Sequence, residues 1–166
     1  LKKNINKNLL KDSKKISAKE RKQLANYIKK NSIYSISKAS IKEIDKLNIL
    51  QATLLSMKRA INNLKHKPNI ILIDGVHAPK NMSYHFKTII RGDEKIPAIS
   101  AASIIAKVAR DRYITRLAKN YTYYGWHTNF GYGTKKHLNA INKFGVTIHH
   151  RKSFRPMHNI LLSKKK

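Results

Sequence analysis

An unbroken apolar run in the middle of the chain constrains the fold more than any other feature. Residues 70–73 read Ile-Ile-Leu-Ile, and Asp74-Gly75 follows them directly. Four aliphatic residues in succession before a turn signal are typical of a strand that is buried on both faces of a sheet. Helical patterns lie on either side of this run in the sequence, and helices are what cover such a sheet. We therefore predict an α/β fold in which Asp74 ends a buried strand.

Two capping signals precede the run. Ser17 and Glu20 have the spacing of a capping box and predict a helix over Ala18–Lys30. Ser40 and Glu43 have the same spacing and predict a second start. The two capping boxes therefore give Glu20 and Glu43 structural roles.

The segments after each signal extend this pattern. Residues 32–37, which include Ile33, Tyr34 and Ile36, predict a short strand. Apolar residues then recur at helical spacing between Leu50 and Leu64, which predicts a long amphipathic helix ending near His66 with Met57 in the core.

The second half of the chain contains one more strand and two more helices. Residues 84–91 predict a strand, and Ser100 is placed to cap a helix over Ala101–Asn120. Glycines and aromatic residues become frequent after it, and a short helix is predicted around Lys135–Lys143. Residues 158–166 are expected to form a flexible basic tail. No repeat or linker divides the chain, so we predict one domain over residues 1–166.

Charge and composition limit the classes of partner and of metal site that the chain can have. The 36 Lys and Arg against 8 Asp and Glu give a formal charge of +28, which attracts polyanions such as nucleic acid. An AT-rich gene, which favours Lys codons, is an alternative source for the size of this charge. The chain has no cysteine, so disulfides and thiolate metal sites are excluded. No apolar run approaches the roughly 18 residues that a membrane span needs, and we expect a cytoplasmic protein.

The acidic residues are few enough to consider one by one. They are Asp12, Glu20, Glu43, Asp45, Asp74, Asp93, Glu94 and Asp111. Asp74 is either an ordinary turn residue or a ligand at a strand end. Asp111 falls at the edge of the apolar arc of its helix, where it either pairs with Lys107 or ligates a metal. Two converging carboxylates would suit Mg²⁺ or Mn²⁺. The histidines show no helical zinc spacing, so solvated or core roles are expected for them.

A series of local strings resembles the ribonuclease HII family in order, from about Leu10 to Met157. The strings are Asp-Ser-Lys-Lys at 12–15, Leu-Asn-Ile-Leu-Gln-Ala-Thr at 47–53, Asp74-Gly75, the long string from Ala98 to Arg112, Gly-Tyr-Gly-Thr at 131–134, and His-Arg-Lys-Ser-Phe at 150–154. The string from 98 to 112 is the longest and the most specific. The resemblance covers nearly the whole chain.

The resemblance implies an RNase H-like fold, in which a mixed sheet is flanked by helices and a helical region follows at the C-terminus. It also implies a metal-dependent endonuclease that cleaves the RNA strand of RNA–DNA hybrids and ribonucleotides embedded in duplex DNA, leaving a 3′-hydroxyl and a 5′-phosphate. Of the family's four catalytic acids, Asp74 and Asp111 are matched here. Paired Mg²⁺ or Mn²⁺ ions would assist attack on the phosphorus. The enzyme is expected to act as a monomer.

The family's other two acids belong to an Asp-Glu-Ala-Gly-Arg-Gly segment on its first strand, which the 166 residues do not contain. We therefore expect a domain that is truncated at its N-terminus and lacks its first strand or strands. A catalytically inactive, basic nucleic-acid-binding remnant is the alternative to an active nuclease.

Substrate contacts are also implied by the resemblance. Tyr132 matches the tyrosine that stacks on the sugar beside the scissile junction, although packing on its own turn is an alternative. The predicted phosphate or backbone contacts are Ser13, Lys14, Lys107 and Lys135. Each of these four side chains could instead be a solvated surface group.

Overall fold

The computed structural model describes residues 1, 5, 6, 8–11, 16–154, 157, 159, 160 and 162. Ser13 and Lys14 lie outside the described residues, as does most of the predicted basic tail. The chain divides into two compact units. The first comprises Leu1–Ser37 and Leu54–Ala109, and the second comprises Lys38–Thr53 and Arg110–Lys166.

The first helices begin where the capping signals place them. A short helix, α1, spans Asn8–Lys11, and α2 spans Ala18–Lys30, as predicted. The Ser17 hydroxyl accepts a bond from the Glu20 backbone N–H at 3.2 Å, and the Glu20 carboxylate accepts one from the Ser17 N–H at 2.8 Å. These two reciprocal bonds satisfy backbone donors that the first turn of a helix leaves unpaired. The predicted capping box is confirmed.

The prediction of a strand over residues 32–37 is wrong. This segment has no regular secondary structure, and the side chains of Ile33, Tyr34 and Ile36 are exposed. β-Branched and aromatic residues favour a strand only where a neighbouring strand and a covered face receive them.

The second capping box opens helix α3, which spans Ile41–Asn62. Ser40 N–H donates to the Glu43 carboxylate at 2.8 Å, as the spacing predicts. Asn48, with φ of 68°, interrupts the helix, and its side-chain oxygen accepts a bond from the Gln51 N–H at 3.1 Å. Asn48 therefore restarts the helix as an N-cap would. The helix ends before His66, and Met57 is half-buried rather than part of the core.

The two described strands pair in parallel. Strand β1 spans Ile71–Asp74 and β2 spans Phe86–Ile89, with Ile71 opposite Phe86 and Asp74 opposite Ile89. Both predicted strands are confirmed. The prediction that β1 is buried on both faces is wrong, because Ile71 and Ile73 are buried while Leu72 is only half-buried. The alternation of burial along β1 is that of a strand with one well-covered face.

Two helices follow the sheet. Helix α4 spans Gly92–Lys95 and α5 spans Pro97–Asn120, so α5 begins four residues before the predicted Ala101. Proline suits the first helical position, since its missing N–H would have no partner there. Ser100 is consequently inside the helix and buried, where its hydroxyl donates to the Leu10 carbonyl at 2.6 Å. The core of the first unit consists of Ile5, Leu10, Ala25, Ile28, Ala101, Ile104 and Ile105.

The end of the chain is helical in short pieces. A 3₁₀ turn at Thr122–Tyr124 leads into α6 at Trp126–Asn129, and α7 spans Lys135–Phe144 with Thr134 as its cap. The predicted helix near Lys135 is confirmed. Its buried residues join a second core of Ala118, Tyr124, Trp126, Ala140, Ile141 and Met157. Among the described residues, no helix combines the length and apolar character needed to cross a membrane.

Candidate functional site

Asp74 lies at the carboxyl end of β1, as the sequence predicts. Its side chain is exposed, and Oδ1 accepts a hydrogen bond from the Gly92 backbone N–H at 2.8 Å. Ligands of α/β sheets usually lie beyond the carboxyl ends of parallel strands. One carboxylate oxygen is thus oriented by the backbone of the neighbouring loop, and the group as a whole remains accessible.

The bond to Asp74 depends on a close approach at Gly92. This residue is buried, and a Cβ placed on it would lie 2.6 Å from Ile99 Cδ1 and 3.4 Å from Asp74 Oδ1. Arg91, just before it, has φ of 53° and turns the chain into α4. Only glycine lets the backbone reach the carboxylate without moving a neighbouring side chain.

Gly92→Ala is expected to lower the free energy of unfolding by about 1 kcal/mol, at the lower end of overpacking costs because the terminal carbon of Ile99 can rotate away. Displacement of the Gly92 N–H should also lower any activity that depends on Asp74 by several-fold. Urea unfolding and initial rates of the variant check the two effects. An equally stable variant with full activity would contradict the role given to Gly92.

Asp111 lies on α5 with its side chain 20% exposed. Its Oδ1 is 3.6 Å from Nη1 of Arg110, an ion pair between adjacent residues. The helical pattern indicated Lys107 as the alternative partner of Asp111 and did not single out the adjacent Arg110. The long Arg side chain reaches around the helix surface, which a helical wheel does not represent.

Arg110 also contacts the turn that carries Tyr132. Its Nη2 donates to the Phe130 carbonyl at 3.1 Å, and its Cζ lies 5.1 Å from the centre of the Tyr132 ring. The Tyr132 side chain is 56% exposed, so the ring presents one part to solvent while the guanidinium lies against it. Arg110 thus joins Asp111 and Tyr132, which are both residues of the second unit that the sequence singles out.

A buried imidazole pair holds the same turn from the inside. Trp126 Nε1 donates to His137 Nε2 at 2.9 Å, so neutral His137 carries its proton on Nδ1, which lies 2.8 Å from the Tyr132 carbonyl. Thr147 N–H donates to His150 Nδ1 at 2.9 Å, which leaves the proton of His150 on Nε2, facing His137 Nε2 at 3.3 Å. The bond from Trp126 requires that His137 be neutral, and the bond from Thr147 requires that His150 be neutral.

The environment favours that neutral state. Burial lowers the pKa of His137, and burial together with the neighbouring His137 and His149 lowers the pKa of His150 to about 4. The expected core role is confirmed for His137 and His150, which are both buried. Their partnership could not be predicted from spacing, since the two rings meet through the fold.

Comparison with known proteins decides the family. The ribonuclease HII family model matches residues 2–158, and so extends through both compact units. The chain belongs to the ribonuclease HII family. It is 56% identical over 157 residues to ribonuclease HII of Pelagibacter ubique, covering 95% of this chain and 84% of that one. It is 50% identical over 152 residues to ribonuclease HII of Cereibacter sphaeroides, covering 92% and 72%.

Solved structures agree on the fold. Ribonuclease H2 from Pyrococcus horikoshii superposes with a TM-score of 0.77 at 23% identity, covering 95% of this chain and 82% of that one. The ribonuclease HII in a PCNA complex from Archaeoglobus fulgidus superposes with a TM-score of 0.71 at 25% identity, covering 88% and 78%. The predicted RNase H-like α/β fold is confirmed.

Membership in the ribonuclease HII family assigns the chain to the hydrolases, as a nuclease of the RNase H type. The family depends in general on divalent metal ions. Asp74 and Asp111 fit that requirement chemically, since carboxylate oxygens are the donors that hard divalent cations prefer. Among the residues described, no three His, Asp or Glu side chains come together as a metal site. Asp74 belongs to the first unit and Asp111 to the second, and each is described within its own unit.

The predicted phosphate contacts of this ribonuclease HII differ in exposure. Lys107 is half-buried on α5, whereas Lys135 is exposed at the first position of α7. Their ammonium groups are suited to bind phosphate as point charges.

Proposed function

We propose that this ribonuclease HII cleaves the RNA strand of RNA–DNA hybrids and ribonucleotides embedded in duplex DNA, leaving a 3′-hydroxyl and a 5′-phosphate. The observation that carries the proposal is the family match over residues 2–158. The exposed Asp74 carboxylate, oriented by Gly92 at the end of β1, supports it independently.

Asp74 and Asp111 are the proposed catalytic acids. When bound, Mg²⁺ or Mn²⁺ would activate the attacking water and stabilise the leaving oxygen. Asp74 supplies an acceptor oxygen that the Gly92 N–H keeps in one orientation. Asp111 supplies a second carboxylate, whose position is restrained by the adjacent Arg110 guanidinium.

The remaining site residues are proposed to bind the duplex. Tyr132 offers an exposed ring for stacking against a sugar, with its turn held from inside by His137. Lys107 and Lys135, together with Ser13 and Lys14, are the proposed backbone contacts. The charge of +28 favours association with any duplex, so these contacts position the substrate rather than select its sequence. We propose further that the enzyme is a cytoplasmic monomer.

The test is cleavage of a labelled DNA duplex that contains one ribonucleotide, compared with an RNA–DNA hybrid and an all-DNA duplex. Both ribonucleotide-containing substrates should be cut in Mg²⁺ or Mn²⁺, the all-DNA duplex should remain intact, and EDTA should stop the reaction. The new ends should be a 3′-hydroxyl and a 5′-phosphate. Fragments that end in a cyclic phosphate would contradict the proposed chemistry. Tight binding without any cleavage would favour a nucleic-acid-binding remnant.

A further inference from the structure

Two arginines of the second unit come from segments that meet at the turn carrying Tyr132, and neither is among the substrate contacts that the sequence indicates. Arg110 comes from α5, and Arg151 comes from the segment that follows α7. Like charges brought together by a fold repel each other unless an anion offsets them. The surroundings of each guanidinium therefore indicate what the pair can bind.

Arg110 has unused hydrogen-bonding capacity. Its Nη2 donates to the Phe130 carbonyl, but its Nη1 is buried and has no hydrogen-bond partner among the described residues. The Asp111 carboxylate, at 3.6 Å from Nη1, lies beyond hydrogen-bond distance. A buried donor without a partner is costly. The Arg110 side chain as a whole is 39% exposed, so an acceptor that reaches its guanidinium can offset this cost.

Arg151 is held in place by stacking and by its neighbours. Its guanidinium lies 3.7 Å from the centre of the Phe154 ring, and the residue is half-buried. Burial and the positive charge of Arg110 lower its pKa, while Tyr132 and Asp45 act in the opposite direction. The fold also places Arg151 near Tyr132, because Arg151 directly follows His150, whose ring lies 3.3 Å from His137, and His137 Nδ1 lies 2.8 Å from the Tyr132 carbonyl. Arg110 lies against the ring of the same tyrosine.

Asp45 fixes the backbone next to Arg151. Its Oδ1 accepts bonds from the Ser153 N–H at 3.0 Å and the Ser153 hydroxyl at 2.8 Å, and its Oδ2 accepts one from the Lys152 N–H at 3.3 Å. Both carboxylate oxygens are engaged in these bonds. Asp45 thus positions the turn and offsets only part of the positive charge of the arginine pair.

We propose that Arg110 and Arg151 together bind one backbone phosphate of the nucleic acid, adjacent to the sugar that contacts Tyr132. The planar guanidinium fork matches phosphate oxygens, and an anion between the two arginines relieves their repulsion. The inference deepens the proposed function, on which the placement of the sugar against Tyr132 rests. A phosphodiester fits this surface because its neighbouring sugar can reach the exposed ring at the same time.

The test replaces single phosphates of the substrate by uncharged methylphosphonates, one position at a time on either side of the ribonucleotide. Affinity is measured in EDTA, without cleavage, for the wild-type protein and for Arg151→Gln and Arg110→Gln. At one position the substitution should weaken wild-type binding about tenfold and the binding of either variant less than twofold. Each variant should also reduce the slope of log Kd against log salt by about 1.

Arg116→Gln, which removes an exposed positive charge from the same helix as Arg110, is the matched control and should keep the wild-type methylphosphonate profile. Arg151→Lys keeps the positive charge, and it replaces Arg151→Gln in the test if thermal melting shows that Arg151→Gln does not fold. It should recover the salt slope but only part of the affinity. The proposal is overturned if every folded variant responds to all methylphosphonates as the wild type does. Binding is measured without metal and does not require cleavage. If the enzyme proves inactive, that result contradicts the proposed function, while the binding data still test the phosphate contact.

Discussion

Asp74→Asn is expected to reduce cleavage of a ribonucleotide-containing duplex by about 10²-fold or more. The asparagine side chain has nearly the same shape, and its carbonyl oxygen can still accept the bond from the Gly92 N–H. What it loses is the negative charge that a divalent cation requires. Loss of groups that merely orient a metal ligand already costs 10–100-fold, so loss of a ligand should cost at least as much.

Binding should respond in the opposite way. Removal of a carboxylate from a surface that receives phosphates reduces repulsion, so affinity for the hybrid should be unchanged or slightly higher. Glu94→Gln is the matched control, because Glu94 is an exposed acid in the same unit and is not a proposed ligand. Initial rates and binding isotherms for the two variants separate catalysis from association. If Asp74→Asn cleaves at the wild-type rate, the assignment of Asp74 is wrong.

Local signals in the sequence predict the helices well. The bounds of α2 and the start of α3 follow from capping boxes, whose bonds connect residues only three positions apart. The helix around Lys135 is also recovered, since Thr134 caps it from the adjacent position. Interactions over such short separations are decided by the sequence itself.

Predictions that depend on distant partners fail more often. Residues 32–37 have the composition of a strand but do not form one, and Ser100 bonds to Leu10 instead of capping α5. In both cases the outcome is determined by residues that are remote in the chain. Strand propensity in particular reflects the neighbours that a strand acquires, which composition does not reveal.

In the candidate site, too, local features are predictable from the sequence and contacts between distant residues are not. The position of Asp74 at a strand end follows from the apolar run before it, whereas the bond from Gly92 depends on how the next loop returns. Arg110 was not identified because its contacts, Phe130 and Tyr132, lie twenty or more residues further along. The functional assignments of Asp74 and Asp111 rest on the family resemblance and stay predictions, since position alone does not establish a ligand.

The second unit is expected to lose stability as the pH falls from about 6.5 towards 4. An unfolded histidine takes up a proton near pH 6.5, whereas folded His150 does so near pH 4, because burial and the nearby His137 and His149 disfavour its charged form. Between these values the unfolded state binds more protons, so acid favours unfolding. Stability is therefore fully present above pH 6.5. One pKa unit corresponds to about 1.4 kcal/mol, so the full separation of the two pKa values is worth about 3.5 kcal/mol, of which about 3 kcal/mol is lost by pH 4.

The protein contains a single tryptophan, Trp126, which lies in this network and reports its unfolding. Urea unfolding followed by its fluorescence at pH 7.5, 6.5, 5.5 and 4.5 gives the dependence directly. His150→Gln should be less stable at pH 7.5 but should show a flatter dependence. His127→Gln, which removes an exposed histidine from the same unit, should keep the wild-type dependence.

The loss has a structural cause beyond the charge. A proton added to His150 Nδ1 would face the Thr147 N–H, which is also a donor, and one added to His137 Nε2 would face the Trp126 N–H. Protonation of His150 breaks the bond from Thr147, and protonation of His137 breaks the bond from Trp126 that holds the ring against the Tyr132 carbonyl. Binding through Tyr132 should therefore weaken together with stability. If His150→Gln and the wild type lose stability equally between pH 6.5 and 4.5, the imidazole pair is not the group that titrates, and surface carboxylates account for the loss.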